Sequence, residues 1–354
     1  MMRKTISKSA IGRLIACFIY VLSALLVIAT FEKANYAEAA SSDFRYGSGT
    51  QADPYLVSNA QELDRVRYNR GAYFKQIDNI DLTDFGEFFP IGSPLFPFSG
   101  HYNGDKYYIS NLKIEAAANN VGLFSFSNGT IENVRLMDVE IIGEYNVGGI
   151  VGTNRGTVIG GIVESGTIKG AGAVGGIAGL NSQNGEIAEC GNKADVSGAG
   201  NAVDGMYFGG VAGINNGMIS NAYNQGNINA NNGNLTYIGG IAGLNQTIKN
   251  TAVIEKAYNI GHVFGKAIGQ LVGDNIGEIE LSKWSNTDTS GDVAFNSGNI
   301  SDSEAISEDA FSDIKTFDNW NDFDEKWIYL DSKYPKLLRE YVAVNSIVFA
   351  QGQM

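Results

Sequence analysis

Two histidines and two cysteines in 354 residues leave little material for imidazole or thiolate chemistry. His101 and His262 lie far apart and no H-E-x-x-H occurs, so the arrangement that puts two metal-binding imidazoles and a general base on one helical face is missing. Cys190 aligns, in the repeat described below, with Ala222 and Ala257. A step that accepts alanine in other copies is a small core position, not a nucleophile. Acid–base work on a polysaccharide needs carboxylates converging in a groove, often with Lys, Arg or Tyr. Between residues 121 and 282 the acids are sparse; Glu186 and Glu189 are close, Glu278 and Glu280 share a strand face, and both pairs read as charges on a solvated face. Asp318-x-x-Asn321-Asp322-x-Asp324-Glu325 is oxygen-rich and makes Asp318, Asp322 and Asp324 a calcium candidate. It lacks the glycine spacing of an EF-hand loop, and solvated acids explain it equally well. These residues predict no catalytic centre and no cofactor; the enzyme alternative is a polysaccharide lyase or hydrolase.

The elements that would position such groups begin after an apparent address. Arg3, Lys4, Lys8 and Arg13 precede a charge-free run from Leu14 to Thr30, and Ala37-Glu38-Ala39 supplies small residues where a signal peptidase cuts. Residues 1–39 therefore read as a signal peptide. The rivals are an uncleaved anchor, since 17 apolar residues sit at the lower limit for spanning, and a lipobox at Leu14-Ile15-Ala16-Cys17. Cleavage removes five basic and two acidic residues and takes the net charge from −13 to −16. That acidity argues against nucleic acid as partner. Cys190 would be the one remaining thiol, so packing alone must stabilise the exported chain.

The middle of the chain repeats. Val147-Gly148-Gly149-Ile150-Val151-Gly152-Thr153-Asn154 recurs from Val174 to Asn181, Phe208 to Asn215, Ile238 to Asn245 and Ile268 to Asn275. A second half follows in three copies, Ile187-x-x-Cys190-x-Asn192, Ile219-x-x-Ala222-x-Asn224 and Ile254-x-x-Ala257-x-Asn259. Residues 121–282 hold 34 of the 45 glycines, too many for helices. Their short, β-branched pieces bounded by Gly and Asn read as strands and tight turns. No proline falls between Phe98 and Tyr334, which suits strands paired on both edges.

A unit of about 30 residues built from strands and turns cannot bury its own apolar face and must stack on its neighbours. The expected fold is all-β, a right-handed parallel β-helix in which equivalent residues form ladders. Two aliphatic ladders follow: Val147, Val174, Phe208, Ile238, Ile268, and Ile150, Ile177, Val211, Ile241, Leu271. They are offset by three positions. Either the glycine pair turns both inward, or one lies outside. Asn154, Asn181, Asn215, Asn245 and Asn275 form a third ladder, read as structural amide stacking at a corner in preference to a ligand groove.

G-G-[IV]-[AV]-G-x-N followed by I-x-x-A-Y-N-x-G resembles the GLUG repeat of bacterial surface proteins. The pattern is also similar to the region preceding the catalytic domain of bacterial IgA-cleaving zinc metallopeptidases, and to haemagglutinin-like adhesins. Gly47-Ser48-Gly49-Thr50, Asp53-Pro54-Tyr55-Leu56-Val57 and Phe98-Ser99-Gly100-His101-Tyr102-Asn103-Gly104 resemble the opening segment of such β-helices. Trp327 with Tyr334-Pro335-Lys336-Leu337 resembles their closing segment. The resemblance implies a β-helix and a surface location; it implies no catalytic residues, because the repeats carry none in those families.

The organisation that follows is a signal peptide (1–39), an N-terminal cap and first coils (40–120), the repeat β-helix (121–285), a C-terminal cap (286–341) and a tail (342–354). Asn59 is placed to cap a helix over Ala60–Arg67, with Leu63 and Val66 facing inward. Residues 287–331 carry twelve acids against Lys315 and Lys326, interleaved with Trp320, Phe323, Trp327 and Tyr329, and read as a packed end cap with an acidic outer face. Val342–Ala350 reads as one more strand. With no wall-sorting motif, the chain is expected to be released or to be a truncated product. The functional expectation is an exported, non-catalytic module, secreted or on a bacterial cell surface, with no stable membrane span after cleavage. Its partner would be an extracellular protein or glycan, with Tyr207, Tyr223, Tyr237 and Tyr258 as exposed contacts; a ligand-free spacer is the other non-enzyme possibility.

Overall fold

The computed structural model describes residues 44–199, 205–230, 236–250, 252–286, 293–329 and 333–341. The expected signal peptide and the strand expected at Val342–Ala350 lie outside them. From residue 46 onward the chain forms one compact unit. It is a right-handed parallel β-helix. Each repeat makes one coil, and a coil contributes one strand to each of five parallel sheets, here called the first to fifth faces. In one coil these strands are Val147–Gly148, Val151–Asn154, Thr157–Ile159, Ile162–Val163 and Gly166–Gly170. The next coil repeats them in register: Val174 lies over Val147, Asn181 over Asn154, Ile187 over Val158, Asn192 over Val163 and Val196 over Ile168.

Both aliphatic ladders point inward. Val147, Val174, Phe208 and Ile238 are buried and Ile268 is half-buried, while Ile150, Ile177, Val211, Ile241 and Leu271 are all buried. The three-residue offset is absorbed where the glycine pair carries the chain from the first face to the second. A Cβ on Gly209 would stand 2.0 Å from the Ala212 carbonyl oxygen and 2.7 Å from Ala242 Cα. One on Gly210 would stand 2.2 Å from Asn224 Cγ and from the Gly240 carbonyl oxygen. The second glycine thus makes room for an asparagine of the fourth face, which explains why the two halves of the repeat travel together.

The opening coils use rings where the later ones use aliphatics: Phe98 and Phe124 lie 4.9 Å apart, with Phe74 and Tyr102 beside them. The expected helix runs over Ala60–Arg65 and continues as a 3-10 turn over Val66–Tyr68. Asn59 caps it by accepting from Glu62 N at 3.0 Å, while the Glu62 carboxylate accepts from Ser58 N and Oγ at 2.8 Å. Leu63 and Val66 are buried.

The acidic, aromatic C-terminal segment covers the side of the solenoid. After Glu304–Ile306, the last described strand of the parallel sheets, residues 307–329 and 333–341 lie along the fourth face back towards the opening coils. This lateral strap contains 3-10 turns at Glu308–Ser312 and Ile314–Phe317, and an antiparallel pairing of Trp327–Ile328 with Lys336–Leu337. The reason lies in the sequence of the fourth face. Ile162, Tyr223 and Tyr258 point outward there, and the strap's Phe311, Phe317, Trp320, Phe323, Trp327 and Leu337 bury them. Four of the strap's acids, Asp313, Asp318, Asp324 and Glu325, face away and are exposed.

Candidate functional site

The most elaborate side-chain chemistry lies between strap and coils. Where the third face turns into the fourth, one residue in successive coils adopts a left-handed backbone: Asn133, Gly160, Glu189, Asn221, Lys256, Leu281 and Asp302, with φ of 48° to 67°. This conformation suits Gly and Asn and costs other residues about 1–2 kcal/mol. The strap reaches most of this column. Arg339 Nη1 donates to Asn133 Oδ1 at 3.2 Å. Arg339 Nε and Lys326 Nζ donate to the Glu189 carboxylate at 2.6 and 2.9 Å. Trp327 Nε1 donates to Asn221 Oδ1 at 3.1 Å, Lys256 Nζ donates to Asp322 at 2.5 Å, and Leu281 packs on the strap's aromatic cluster.

Beside this column runs a second chain of charges. Glu340, buried in the strap, accepts from Lys193 Nζ at 2.6 Å and from the Tyr223 hydroxyl at 3.0 Å. Lys193 also donates to Glu164 at 2.8 Å, and Arg135 pairs with the other oxygen of Glu164. Burial pushes the Glu164 carboxyl up, but Lys193 and Arg135 outweigh it and hold it below its ordinary value. A hydrogen bond from the His101 ring, against burial and with Arg339 nearby, likewise holds Glu132 low.

Several expected site residues must be reassigned. Tyr223 and Tyr258 are not exposed contacts: both are buried beneath the strap, stacked 5.4 Å apart, and the Tyr258 hydroxyl donates to the Pro335 carbonyl at 2.7 Å. Glu189 is not a solvated charge, because the strap covers and pairs it, whereas Glu186 is exposed. Glu278 and Glu280 lie half-buried on the third face; Glu280 is one rung from Glu255, whose carboxyl is pushed up by burial and by Glu280 and Asp322 against Lys256. Asp318, Asp322 and Asp324 do not converge on a cation, since Asp322 is turned to Lys256. Among the described residues, no group of three or more His, Cys, Asp or Glu is placed to hold a metal. Cys190 is buried against Gly161, and burial pushes its thiol up to about 12. His262 is exposed beside Phe264.

The Asn ladder is a continuous hydrogen-bonded file. Asn154 Nδ2 donates to Asn181 Oδ1 at 2.9 Å; the links from Asn181 to Asn215, Asn215 to Asn245 and Asn245 to Asn275 are each 2.8 Å. One further rung, Asn275 to Asn296 at 2.9 Å, extends it. The amides are buried, and each also serves nearby backbone; Asn215 donates to Gly217 and Val253 carbonyls and accepts from Gly217 N. A second file, Asn192 to Asn224 to Asn259 at 2.8 and 2.9 Å, lines the inside of the fourth face. Its residues stand in the repeat's second half, where the recurrent Asn was the signal.

Two further surfaces among the described residues present aromatic rings. Tyr207 and Tyr237 are half-buried and stacked 5.5 Å apart, with Phe295 edge-on to Tyr237. Burial raises the carboxyl of nearby Asp274. At the N-terminal end an open cleft of about 660 Å³ is lined by Tyr55, Tyr68, Arg70, Phe96 and Pro97, with the Arg70 guanidinium over the Phe96 ring at 5.4 Å.

A parallel solenoid with neutral amide files, a lateral strap and aromatic outer rungs belongs to the class of β-helical repeat proteins. No family model matches the chain. Over 157 residues it is 31% identical to "Halomucin" of Haloquadratum walsbyi, a match over 40% of this chain and 2% of that protein. Over 155 residues it is 33% identical to a "Putative Gly-rich membrane protein" of Evansella cellulosilytica, over 40% of this chain and 17% of that protein. The chain thus spans a small fraction of either relative. Its fold is similar to a "putative immunoglobulin A1 protease" from Bacteroides ovatus, with a TM-score of 0.69 at 23% identity, covering 85% of this chain and 97% of the other. Among the described residues no helix is long and apolar enough to cross a membrane.

Proposed function

We propose that the protein is an exported, non-catalytic β-helix that binds an extracellular protein or glycan, on the surface of a cell or released from it. The observation that carries this reading is the stacked, half-exposed pair Tyr207–Tyr237 with Phe295 and Asp274 beside it. Rings that present a face or edge next to a carboxylate suit sugar rings and peptide side chains alike. The GLUG-like repeat, the basic and apolar leader, and relatives named as a halomucin and a membrane protein support the location. Three carboxylates of the coils, Glu132, Glu164 and Glu189, are committed to ion pairs, which favours a scaffold over a hydrolase or lyase. The test is binding of the exported chain to glycan arrays and intact cells, with Tyr207→Ala/Tyr237→Ala as the variant. Loss of binding with the fold retained supports the reading; unchanged binding, or turnover of a polysaccharide by the wild type, overturns it. Mass measurement of the exported species checks the leader: removal of about 39 residues is expected.

A further inference from the structure

In the later coils the corner between the second and third faces holds the buried amide file. Its column begins differently. The carbonyl of each corner residue accepts from the connection one rung on: Asn154 from Ser182 N at 2.8 Å, Ser127 from Arg155 N at 2.7 Å, Phe98 from Asn128 N at 2.7 Å, and Arg70 from Ser99 N and Gly100 N at 2.9 and 2.7 Å. Followed towards the opening coils, the column therefore reads Asn154, Ser127, Phe98, Arg70. Phe98 is buried, whereas Arg70 is half-buried. An amide file needs a group that both donates and accepts; a guanidinium only donates, so Arg70 cannot extend the file. Its guanidinium lies 5.4 Å from the Phe96 ring centroid, and Nη1 donates to the Arg67 carbonyl at 2.6 Å. Around it, the connections that lead into Tyr55–Val57, Tyr73–Gln76 and His101–Asn103 leave the cleft of about 660 Å³. The rings of Tyr55, Tyr68 and Phe96 are half-buried in its walls, Ser99 is exposed, and Leu95 stands at the lip, 83% exposed. Arg70 is the one charged side chain among the described residues that line the cleft, in a chain of net charge −13.

We infer that this cleft binds an acidic sugar, a pyranose that carries a carboxylate. The rings offer apolar surface to the C–H faces of the pyranose, the Ser99 hydroxyl meets its hydroxyls, and the Arg70 guanidinium meets its carboxylate. Hydrogen bonds between a guanidinium and a carboxylate are about twice as strong as neutral ones. The Phe96 ring and the Arg67 carbonyl already hold the guanidinium plane, so little side-chain freedom is left to lose on binding. A neutral sugar gains the rings without the charge. The acidity of the chain as a whole repels anions, so the attraction is confined to this one cation and is screened by salt. The cleft shares no residue with the Tyr207–Tyr237 surface, and the inference stands whether or not that surface binds a ligand.

The experiment uses the full chain at neutral pH and low salt. The probes are glucuronate, glucose as its neutral counterpart, and a short peptide with a free C-terminal carboxylate, each titrated by ligand-observed NMR. Glucuronate should bind about tenfold or more tighter than glucose, and the difference should shrink as salt is added. Arg70→Lys keeps the charge but not the planar fork; it should weaken glucuronate about threefold or more and leave glucose unchanged. Leu95→Glu sets a carboxylate on the exposed lip, and should weaken glucuronate by a similar factor with the denaturant midpoint unchanged. It decides the matter if Arg70→Lys fails to fold. Tyr207→Ala/Tyr237→Ala should bind glucuronate as the wild type does, which separates this site from the proposed one; loss of glucuronate in that variant places the sugar elsewhere and overturns the inference. Equal affinity for glucose and glucuronate overturns it, as does binding of neither. Tighter binding of the peptide carboxylate than of glucuronate, or glucuronate binding unmoved in the folded variants, overturns it as well.

Discussion

The coils and the strap solve the same problem, holding one segment against another, with opposite means. In the coils the inward contacts recur: along the amide files the residue below is the same as the residue above, displaced by one rung. A neutral amide suits this because it donates and accepts and so can bond to its own kind without limit, whereas a file of like charges would repel itself. The strap is laid down once, against a surface that differs at every rung, and it uses one-off complements: guanidinium and ammonium to Glu189, indole to Asn221, carboxylate to Lys256. Repetition gives cooperativity among coils, and single complementary pairs give a segment that can be detached separately.

The largest effect should come from breaking the coils. Asn215→Ala removes the acceptor of Asn181 and the donor to Asn245 and leaves Gly217 and Val253 short of partners. With about 1–3 kcal/mol for each buried group left unpaired, a loss of about 3–5 kcal/mol and a broader denaturant transition are expected. Asn275→Ala should cost less, because its outer neighbour Asn296 is exposed and can turn to water. Denaturant curves of both variants measure this. Unchanged stability with loss of ligand would make the file a binding groove instead.

Next is the coupling between the two halves of the repeat. Gly210→Ala pushes a methyl to 2.2 Å from Asn224 Cγ and should cost about 1–3 kcal/mol. Asn224→Ala interrupts the inner amide file and should cost a similar amount. The double variant should be more stable than the sum of the two by about 1 kcal/mol, since the second change makes room for the first. Rescue stays partial, because the Gly240 carbonyl stands equally close to the new methyl and the Cβ of residue 224, which alanine keeps, stands 2.5 Å from it. Additive costs would mean that the halves recur together for some reason other than this contact.

The coils were legible from the sequence because repetition states the same rule five times. Glycine density, absent proline and the recurrent Asn led to strands, stacking and ladders without knowledge of any contact. The facing of the aliphatic ladders was not legible, since it depends on how the glycine pair bends the chain. The strap site was illegible for a deeper reason. Its corner column is Asn, Gly, Glu, Asn, Lys, Leu and Asp in successive coils, so alignment of the repeats shows noise where the structure shows one backbone conformation. Its partners, Lys326, Arg339 and Glu340, lie more than a hundred residues on from the Glu189 and Lys193 they meet. For the same reason Tyr223 and Tyr258 read as exposed: their outward direction follows from alternation, but the cover over them is a non-repeated segment.

A smaller effect sharpens the role of the corner. Lys256→Gly relieves a left-handed residue, worth about 1 kcal/mol, and removes a partly exposed ion pair, worth about 0–1 kcal/mol. In the wild type the two nearly cancel. In an Asp322→Asn background, where that charge pairing is already gone, the same change should stabilise by a few tenths to 1 kcal/mol more than in the wild type. Thermal unfolding of the four proteins of this cycle decides it. A zero coupling would mean that Lys256 holds its conformation for reasons unrelated to the strap.

The smallest effect is the sharpest contrast, because it concerns two glutamates three positions apart in one turn of the chain. Glu186 is exposed on the third face; Glu189 is buried at the corner with two cations on it. Glu186→Gln should leave stability within about 0.5 kcal/mol, as for an exposed residue with no special contact. It should also leave hydrogen-exchange protection of the strap and ligand binding untouched, while Glu189→Gln loosens the strap. The same variant probes the enzyme alternative, for an exposed carboxylate on a flat strand face is where a polysaccharide would have to be met. If the wild type turns over an acidic or neutral polysaccharide and Glu186→Gln abolishes it, the pair is a catalytic acid with a buried positioning neighbour, and the solenoid wall is an active face. If nothing is turned over and the variant is silent, the two residues differ only in what lies above them: water over Glu186, the strap over Glu189.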